Sequence, residues 1–247
     1  MICLLTSSIV IPGTEELNPA NGFVDALTRH FPQDCRAVFV CSDPDGGERT
    51  DFFAHAVRAT FERAGFQFRQ YLVLDGRNAR DAAALVGGAN LLILGGGHVP
   101  TQNRFFNRIG LRELLKAFAG VVIGISAGSM NSAGIVYAHP ELDGEAINPA
   151  YQRFLPGLGL TDTMLIPHYQ EVKDETLDGL RAIGDIACGD SMGRTFYAIP
   201  DGSYLFVGNG REELRGEAYA IRDGAVTKVA GEGDVTFMRG CTGVSQT

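Results

Sequence analysis

The stretch from Ala119 to Gly134, A-G-V-V-I-G-I-S-A-G-S-M-N-S-A-G, constrains the fold more than any other part of the chain. Val121, Val122 and Ile123 are apolar and β-branched without alternating with polar residues, the pattern of a strand covered on both faces. Such a strand belongs inside a parallel sheet flanked by helices. The run then turns through Gly124-Ile125-Ser126-Ala127-Gly128, a G-x-S-x-G pentapeptide. Its small flanking residues permit a sharp strand-to-helix corner that lifts a serine hydroxyl above a sheet edge. Taken alone, the pentapeptide has two readings, a nucleophile or a serine that only caps the helix.

The first half repeats this alternation. Apolar runs at Ile2 to Val10, Ala37 to Cys41, Phe66 to Leu74 and Asn90 to Leu94 read as strands. Between and after them, Asn18 to Phe31, Glu48 to Ala64, Asn78 to Val86 and Gln102 to Phe118 carry helical spacing, with Phe52, Phe53, Ala56, Val57, Thr60 and Phe61 on one broad face of the second. Strand and helix alternating at short intervals predict an α/β fold: a mostly parallel sheet, right-handed crossovers and helices on both faces. Ligands bind such sheets at the carboxyl ends of the strands, where Gly95-Gly96-Gly97 and Ser126 both fall.

The second half differs. A loop rich in charge and proline, His139 to Pro156, precedes a strand at Thr163 to Pro167 that delivers His168, expected on the same sheet edge as Ser126. Lys173 to Ala187 reads as a weak helix interrupted by Gly179 and Gly184. From Thr195 the pattern is β: Phe196 to Ile199, Ser203 to Val207, Glu217 to Arg222, Ala225 to Val229 and Val235 to Met238, with Asx-Gly hairpin turns at Asp201-Gly202, Asn209-Gly210 and Asp223-Gly224. The expected organisation is one domain over residues 1–247, with 195–240 its β-rich C-terminal part.

Hydrophobic residues at 45% and charged residues at 20% describe a globular chain, and a net charge of −8 without any basic run argues against nucleic acid or an anionic membrane as partner. Small peptides or metabolites fit better. The N-terminus has no basic n-region, so its apolar run reads as a core strand rather than a signal peptide. No run approaches the ~18 apolar residues of a membrane helix, and the expected location is cytoplasmic. The five cysteines, Cys3, Cys35, Cys41, Cys188 and Cys241, are odd in number and lack C-x-x-C spacing, which suits reduced thiols.

A serine at neutral pH needs a base within hydrogen-bond reach and an acid that fixes the base's tautomer. Of the five histidines, His168 is best placed and His98, after the glycine triplet, second; His30 reads as a helix-end residue and His55 as a surface or packing one. Asp201, Glu171, Asp143 and Glu141 are the candidate acids. Asp201, in I-P-D-G-S, can face the sheet edge, but it can equally be a type I′ turn residue. The N–H of Ala127 can serve a developing oxyanion, with a second donor from Gly95-Gly96-Gly97. The triplet lacks G-x-G-x-x-G and Gly-Lys-Ser/Thr, and no H-E-x-x-H occurs, so no cofactor and no metal is expected.

Together these pieces resemble the peptidase E family, the aspartyl dipeptidases and their cyanophycinase relatives. The resemblance rests on the Pro-Gly loop after the first strand (Leu4 to Gly13), the strand followed by Gly-Gly-Gly (Leu91 to Gly97), Ser126-Ala127-Gly128 with Asn131, Pro167-His168-Tyr169, and Pro200-Asp201-Gly202. It implies a flavodoxin-like, three-layer α/β/α sandwich similar to class I glutamine amidotransferases. It further implies a serine peptidase acting on short peptides, monomeric or homodimeric. Ser126 would be the nucleophile, His168 the general base, Asp201 the triad acid, and Gly97 with Ala127 the oxyanion donors. The order Ser, His, acid differs from the Ser, acid, His order of α/β-hydrolases. Substrate contacts would fall to His98, Tyr169, Gln170, Glu171 and Asp143. His98-Val99-Pro100-Thr101 replaces the family's Asn-Thr after the glycines. Q-E-V-K-D-E-T replaces the arginine-containing segment that receives an acidic side chain, so the resemblance does not extend to a strict preference for N-terminal aspartate. The family's further acidic residue after the elbow corresponds to Asp143 or Glu141. An alternative on the same fold is a small-molecule binding or sensory protein with a relic elbow, supported by the altered loop at His98. Glutamine amidotransfer would call for cysteine where Ser126 stands.

Overall fold

A computed structural model describes residues 1–238; Cys241 and the end of the 195–240 segment lie outside the described residues. The non-alternating runs of the first half form five parallel strands: β1 (Ile2–Thr6), β2 (Arg36–Val40), β3 (Gln70–Leu74), β4 (Leu91–Leu94) and β5 (Val121–Ile125). The connections carry α1 (Phe23–His30), α2 (Glu48–Arg63), α3 (Ala82–Gly88), α4 (Val99–Arg108) and α5 (Leu111–Leu115). The segment expected as one helix to Phe118 is broken at Gly110, whose left-handed φ of 63° glycine adopts at no steric cost. After β5 comes α6 (Ala127–Met130).

Register shows why these runs need no polar face. Leu4, Ile123, Ile93 and Phe39 stand side by side on β1, β5, β4 and β2, and all four are buried. Each fully buried side chain of this kind contributes about 1.5–3 kcal/mol through the hydrophobic effect.

Downstream, β6 (Ile135–Tyr137) and β7 (Phe154–Pro156) form a ribbon that brackets the loop 138–153. Then come β8 (Met164–Ile166), α7 (Tyr169–Val172) and a two-stranded turn of β9 (Thr176–Leu177) and β10 (Leu180–Arg181). A π-helical segment, Ala182–Ala187, runs into α8 (Cys188–Asp190). The helix expected over 173–187 is therefore mostly absent. Asp178 and Gly179, with φ of 53° and 80°, turn the chain into the β9–β10 ribbon instead.

The C-terminal part contains β11 (Thr195–Ala198), β12 (Tyr204–Gly208), β13 (Arg211–Arg215), β14 (Ala218–Arg222), β15 (Ala225–Ala230) and β16 (Val235–Met238). The main sheet has eight strands in the order β16-β13-β12-β1-β5-β4-β2-β3, and β12, β13 and β16 extend it antiparallel beyond β1. A separate four-stranded sheet has the order β15-β14-β11-β8. This corrects one expectation: the strand before His168 and the strand before Asp201 pair in parallel with each other in the second sheet, not at the edge that carries Ser126. The second sheet has its own apolar cluster, in which the rings of Tyr137 and Phe196 stack with centroids 4.0 Å apart.

The corner at Ser126 depends on close backbone approach. A Cβ on Gly128 would run into the backbone carbonyl of Leu94 on β4, and one on Gly124 would meet the Ser129 backbone at 2.9 Å. Gly128→Ala should therefore destabilise the protein by about 3 kcal/mol, the upper range for overpacking. The thermal midpoint should drop by about 6–12 °C, as measured by circular dichroism.

Candidate active site

Ser126 has φ 51° and ψ −113°, outside the conformations favoured by a side chain with Cβ. The end of β1 holds it there. Thr6 O accepts the Ser126 N–H at 3.0 Å and the Ser129 hydroxyl at 2.7 Å, while the Thr6 hydroxyl donates to Gly124 O at 3.0 Å. The serine side chain therefore has a fixed direction before any ligand arrives.

That direction points at His168. Its Nε2 lies 2.9 Å from Ser126 Oγ, and its Nδ1 lies 2.9 Å from Asp201 Oδ1. The hydrogen-bond pattern assigns the proton to Nδ1, donated to the carboxylate, which leaves Nε2 to accept from the serine hydroxyl. His168 is itself left-handed, with φ 56°, and its N–H donates to Ser7 Oγ at 2.7 Å. The Ser7 hydroxyl in turn donates to Asp201 Oδ1 at 2.6 Å, and the Asp201 N–H donates to Gln170 Oε1 at 3.0 Å. Asp201 does not occupy a type I′ position, because its φ is not positive; Gly202 supplies the left-handed residue of the turn.

Electrostatics follow this geometry. Burial opposes a charge on His168, but the Asp201 hydrogen bond and charge, with Glu171 and Glu141, outweigh it and raise the pKa above the ordinary 6.5. Burial likewise opposes the Asp201 charge, and the bonds from His168 and Ser7 outweigh it, so Asp201 titrates below the usual carboxylate range. Among the described residues no cysteine is a rival: burial pushes Cys3, Cys35 and Cys41 up to about 12 and raises Cys188.

Two cavities meet at Ser126, Gly97 and His168. The larger, of about 850 Å³, is walled by Phe39, Phe53, Val57, Ile125 and Leu142, with Arg49 and Asp43 paired to each other in its lining. The smaller, of about 330 Å³, holds three carboxylates, Glu141, Glu171 and Glu175. Glu141 is exposed by surface area but crowded on the cleft side. Desolvation there, then Glu145, raises its pKa, with His168 acting in the opposite direction. Among the described residues no arginine or lysine lines the smaller cavity.

The other sequence candidates divide. Gly97, with φ 147° and no room for a Cβ beside Ser42, faces both cavities, and Ala127 opens α6 directly after the serine. His98 lines the larger cavity, but both its nitrogens are engaged, Nδ1 with Thr101 Oγ1 at 2.8 Å and Nε2 with Glu145 Oε1 at 2.9 Å. Tyr169 lines neither cavity; it packs on Tyr219 with centroids 4.2 Å apart. Gln170 supports Asp201 rather than a substrate. Asp143 lines neither cavity and is exposed. Of the four candidate acids, Asp201 is the one hydrogen-bonded to His168. Ser7 and Glu145 escaped the sequence reading. Ser7 was buried in an overlong first strand, whereas β1 ends at Thr6 and places Ser7 on the strand-end edge. Among the described residues no cluster of three or more His, Cys, Asp or Glu side chains could hold a metal ion. Nor is any helix there long and apolar enough to cross a membrane.

A strained serine at a strand end, joined through a histidine to a carboxylate, is the arrangement of a serine hydrolase. The profile of Peptidase family S51 matches residues 3–215. The chain belongs to that family and is a serine-type peptidase. Among solved structures it is similar to a candidate peptidase E protein from Listeria monocytogenes EGD-e, at 15% identity and a TM-score of 0.59, over 87% of this chain and 97% of that one. At that identity the likeness concerns the fold. No curated protein matches the sequence.

Proposed function

We propose that the chain hydrolyses short peptides near their N-terminus through an acyl-enzyme on Ser126. The observation that carries this reading is the unbroken hydrogen-bond chain Ser126–His168–Asp201, 2.9 Å at each link. Ser126 Oγ attacks the scissile carbonyl as His168 Nε2 takes its proton. Asp201 stabilises the imidazolium and keeps the ring in the tautomer that leaves Nε2 free. The N–H groups of Gly97 and Ala127 receive the charge on the carbonyl oxygen. The tetrahedral intermediate collapses, His168 gives its proton to the leaving amine, and the ester remains on Ser126. Water, deprotonated by His168, then releases the acid and restores the serine.

Strict preference for N-terminal aspartate does not follow from the cleft. The carboxylates of Glu171 and Glu175 disfavour an acidic side chain in the smaller cavity. A dipeptide panel including Asp-Xaa, Asn-Xaa, β-aspartyl and apolar members, read by release of free amino acids, tests the proposal. Hydrolysis that is not restricted to Asp-Xaa is expected, and a wild-type protein inert across the whole panel would contradict it.

The pH dependence has a defined sign. His168 must be neutral to accept the serine proton, and its pKa is raised above 6.5. Activity is therefore present above that raised value and lost as pH falls through it. The acid limb of kcat/KM, measured with a neutral peptide, should lie above pH 6.5 and drop about tenfold per pH unit below its midpoint.

A further inference from the structure

The loop segment 139–146 contributes to both cavities. His139, Pro140 and Glu141 line the smaller one, and Leu142 lines the larger. The segment contains neither helix nor strand, so side chains must hold it. Most of that task falls to Glu145. One of its oxygens, Oε2, accepts the N–H groups of Glu141 at 2.9 Å and Leu142 at 3.0 Å. The other, Oε1, meets His98 Nε2 at 2.9 Å, and His98 Nδ1 meets Thr101 Oγ1 at 2.8 Å in the first turn of α4. Asp178 fastens the far end by accepting the N–H groups of Gly144 at 2.8 Å and Ala146 at 2.9 Å. Both members of the His98–Glu145 pair are largely shielded, at 22% and 15% side-chain exposure, where a hydrogen bond to a carboxylate holds better than on an open surface.

We propose that His98 and Glu145 form a clasp that positions Leu142 as a wall of the larger cavity, and that this wall makes the enzyme prefer a bulky apolar residue beside the scissile bond. The inference rests on the reading of Ser126 as nucleophile. Leu142 and Phe53 are each 54% exposed and both line the larger cavity, so an apolar side chain seated there covers surface that water now touches. Phe39, Val57 and Ile125 continue the apolar wall down to the serine. Arg49, the one arginine or lysine among the described residues of this lining, is paired with Asp43 and does not present an open partner to a carboxylate. Leu142 can contribute only if the strap is fixed. The fixing point is His98, the residue that follows the glycine triplet; His98 is a positioning residue with no part in the proton transfers.

The test compares kcat and KM for Ala-Ala, Phe-Ala and Ala-Phe. In the wild type one phenylalanine peptide should show a KM below that of Ala-Ala, identifying which side of the scissile bond the larger cavity serves. His98→Ala and Glu145→Ala should each reduce that preference about tenfold, through KM rather than kcat, and the double variant should be no worse than either single one. His98→Gln keeps a donor for Glu145 and should retain the preference. Leu142→Ala, an exposed change that leaves the clasp and fold intact, should lose it as His98→Ala does. The clasp is overturned if the wild type does not favour a phenylalanine peptide, if His98→Ala or Leu142→Ala leaves the preference in place, or if the loss appears in kcat for all peptides alike. Failure of the parent reading looks different: the wild type then cleaves no peptide through Ser126, whatever the strap does.

Discussion

Ser126→Ala should lower kcat for any cleaved dipeptide by about 10⁴-fold or more, because the residual catalysis of a site without its nucleophile comes only from binding and oxyanion stabilisation. The fold should survive the change. The backbone at Ser126 is set by the Thr6 carbonyl and by the close approaches of Gly124 and Gly128, none of which uses the serine hydroxyl. Alanine, with the same Cβ, meets the same backbone strain at φ 51° as the serine it replaces. A thermal midpoint within about 3 °C of wild type, together with lost turnover, separates a chemical role from a structural one. A variant that retains turnover would remove Ser126 from the mechanism.

Asp201→Asn should be nearly as costly, with kcat falling about 10³–10⁴-fold. Asp201 Oδ1 accepts both the His168 Nδ1–H and the Ser7 hydroxyl proton. An asparagine either keeps the acceptor but loses the charge that stabilises the imidazolium, or presents its NH₂ to Nδ1 and drives the imidazole proton to Nε2, where the Ser126 proton must go. A second signature follows from the direction of the His168 shift. Asp201 is the main group holding that pKa up, so its neutralisation should move the acid limb of kcat/KM to lower pH even as the plateau falls. Asp143→Asn, at an exposed position that touches neither cavity, should leave both the plateau and the limb in place. An acid limb that stays fixed in Asp201→Asn and moves in Asp143→Asn would transfer the orienting role.

How much of this was legible beforehand depended on whether the signal was local. Val121 to Ile123 and Leu91 to Leu94 are buried on both faces, so their lack of alternation marked them as central strands, and Gly124 and Gly128 are small because backbone sits against them. The second sheet was not legible. β8 has three residues, and its pairing with β11 joins positions such as Leu165 and Tyr197 that no local pattern links. His168 and Asp201 were thus placed near Ser126 for a partly wrong reason. They reach it from a different sheet, across Ser7 at the end of β1.

Charged strands were also opaque. Arg211–Arg215 reads R-E-E-L-R and was missed as a strand, because its polarity is resolved only in space, where Arg215 pairs with Glu213 at 2.6 Å and lies over the Phe206 ring. On α2, Phe52 and Phe53 were expected with the buried face, but they are 68% and 54% exposed. For Phe53 the reason is its place in the lining of the larger cavity. The structure also gives His98 a partner that its sequence neighbourhood could not, since Glu145 lies 47 residues away.

The most direct measurement is covalent. Wild-type protein treated with a fluorophosphonate, digested and mapped by mass spectrometry, should carry one adduct, on the peptide containing Ser126. The labelling rate should fall with pH along the same limb as kcat/KM, because both need neutral His168. An adduct on another serine, Ser7 or Ser42 in the same cleft included, or peptide hydrolysis that continues in protein fully labelled at Ser126, would contradict the assignment of Ser126, His168 and Asp201 as the hydrolytic centre.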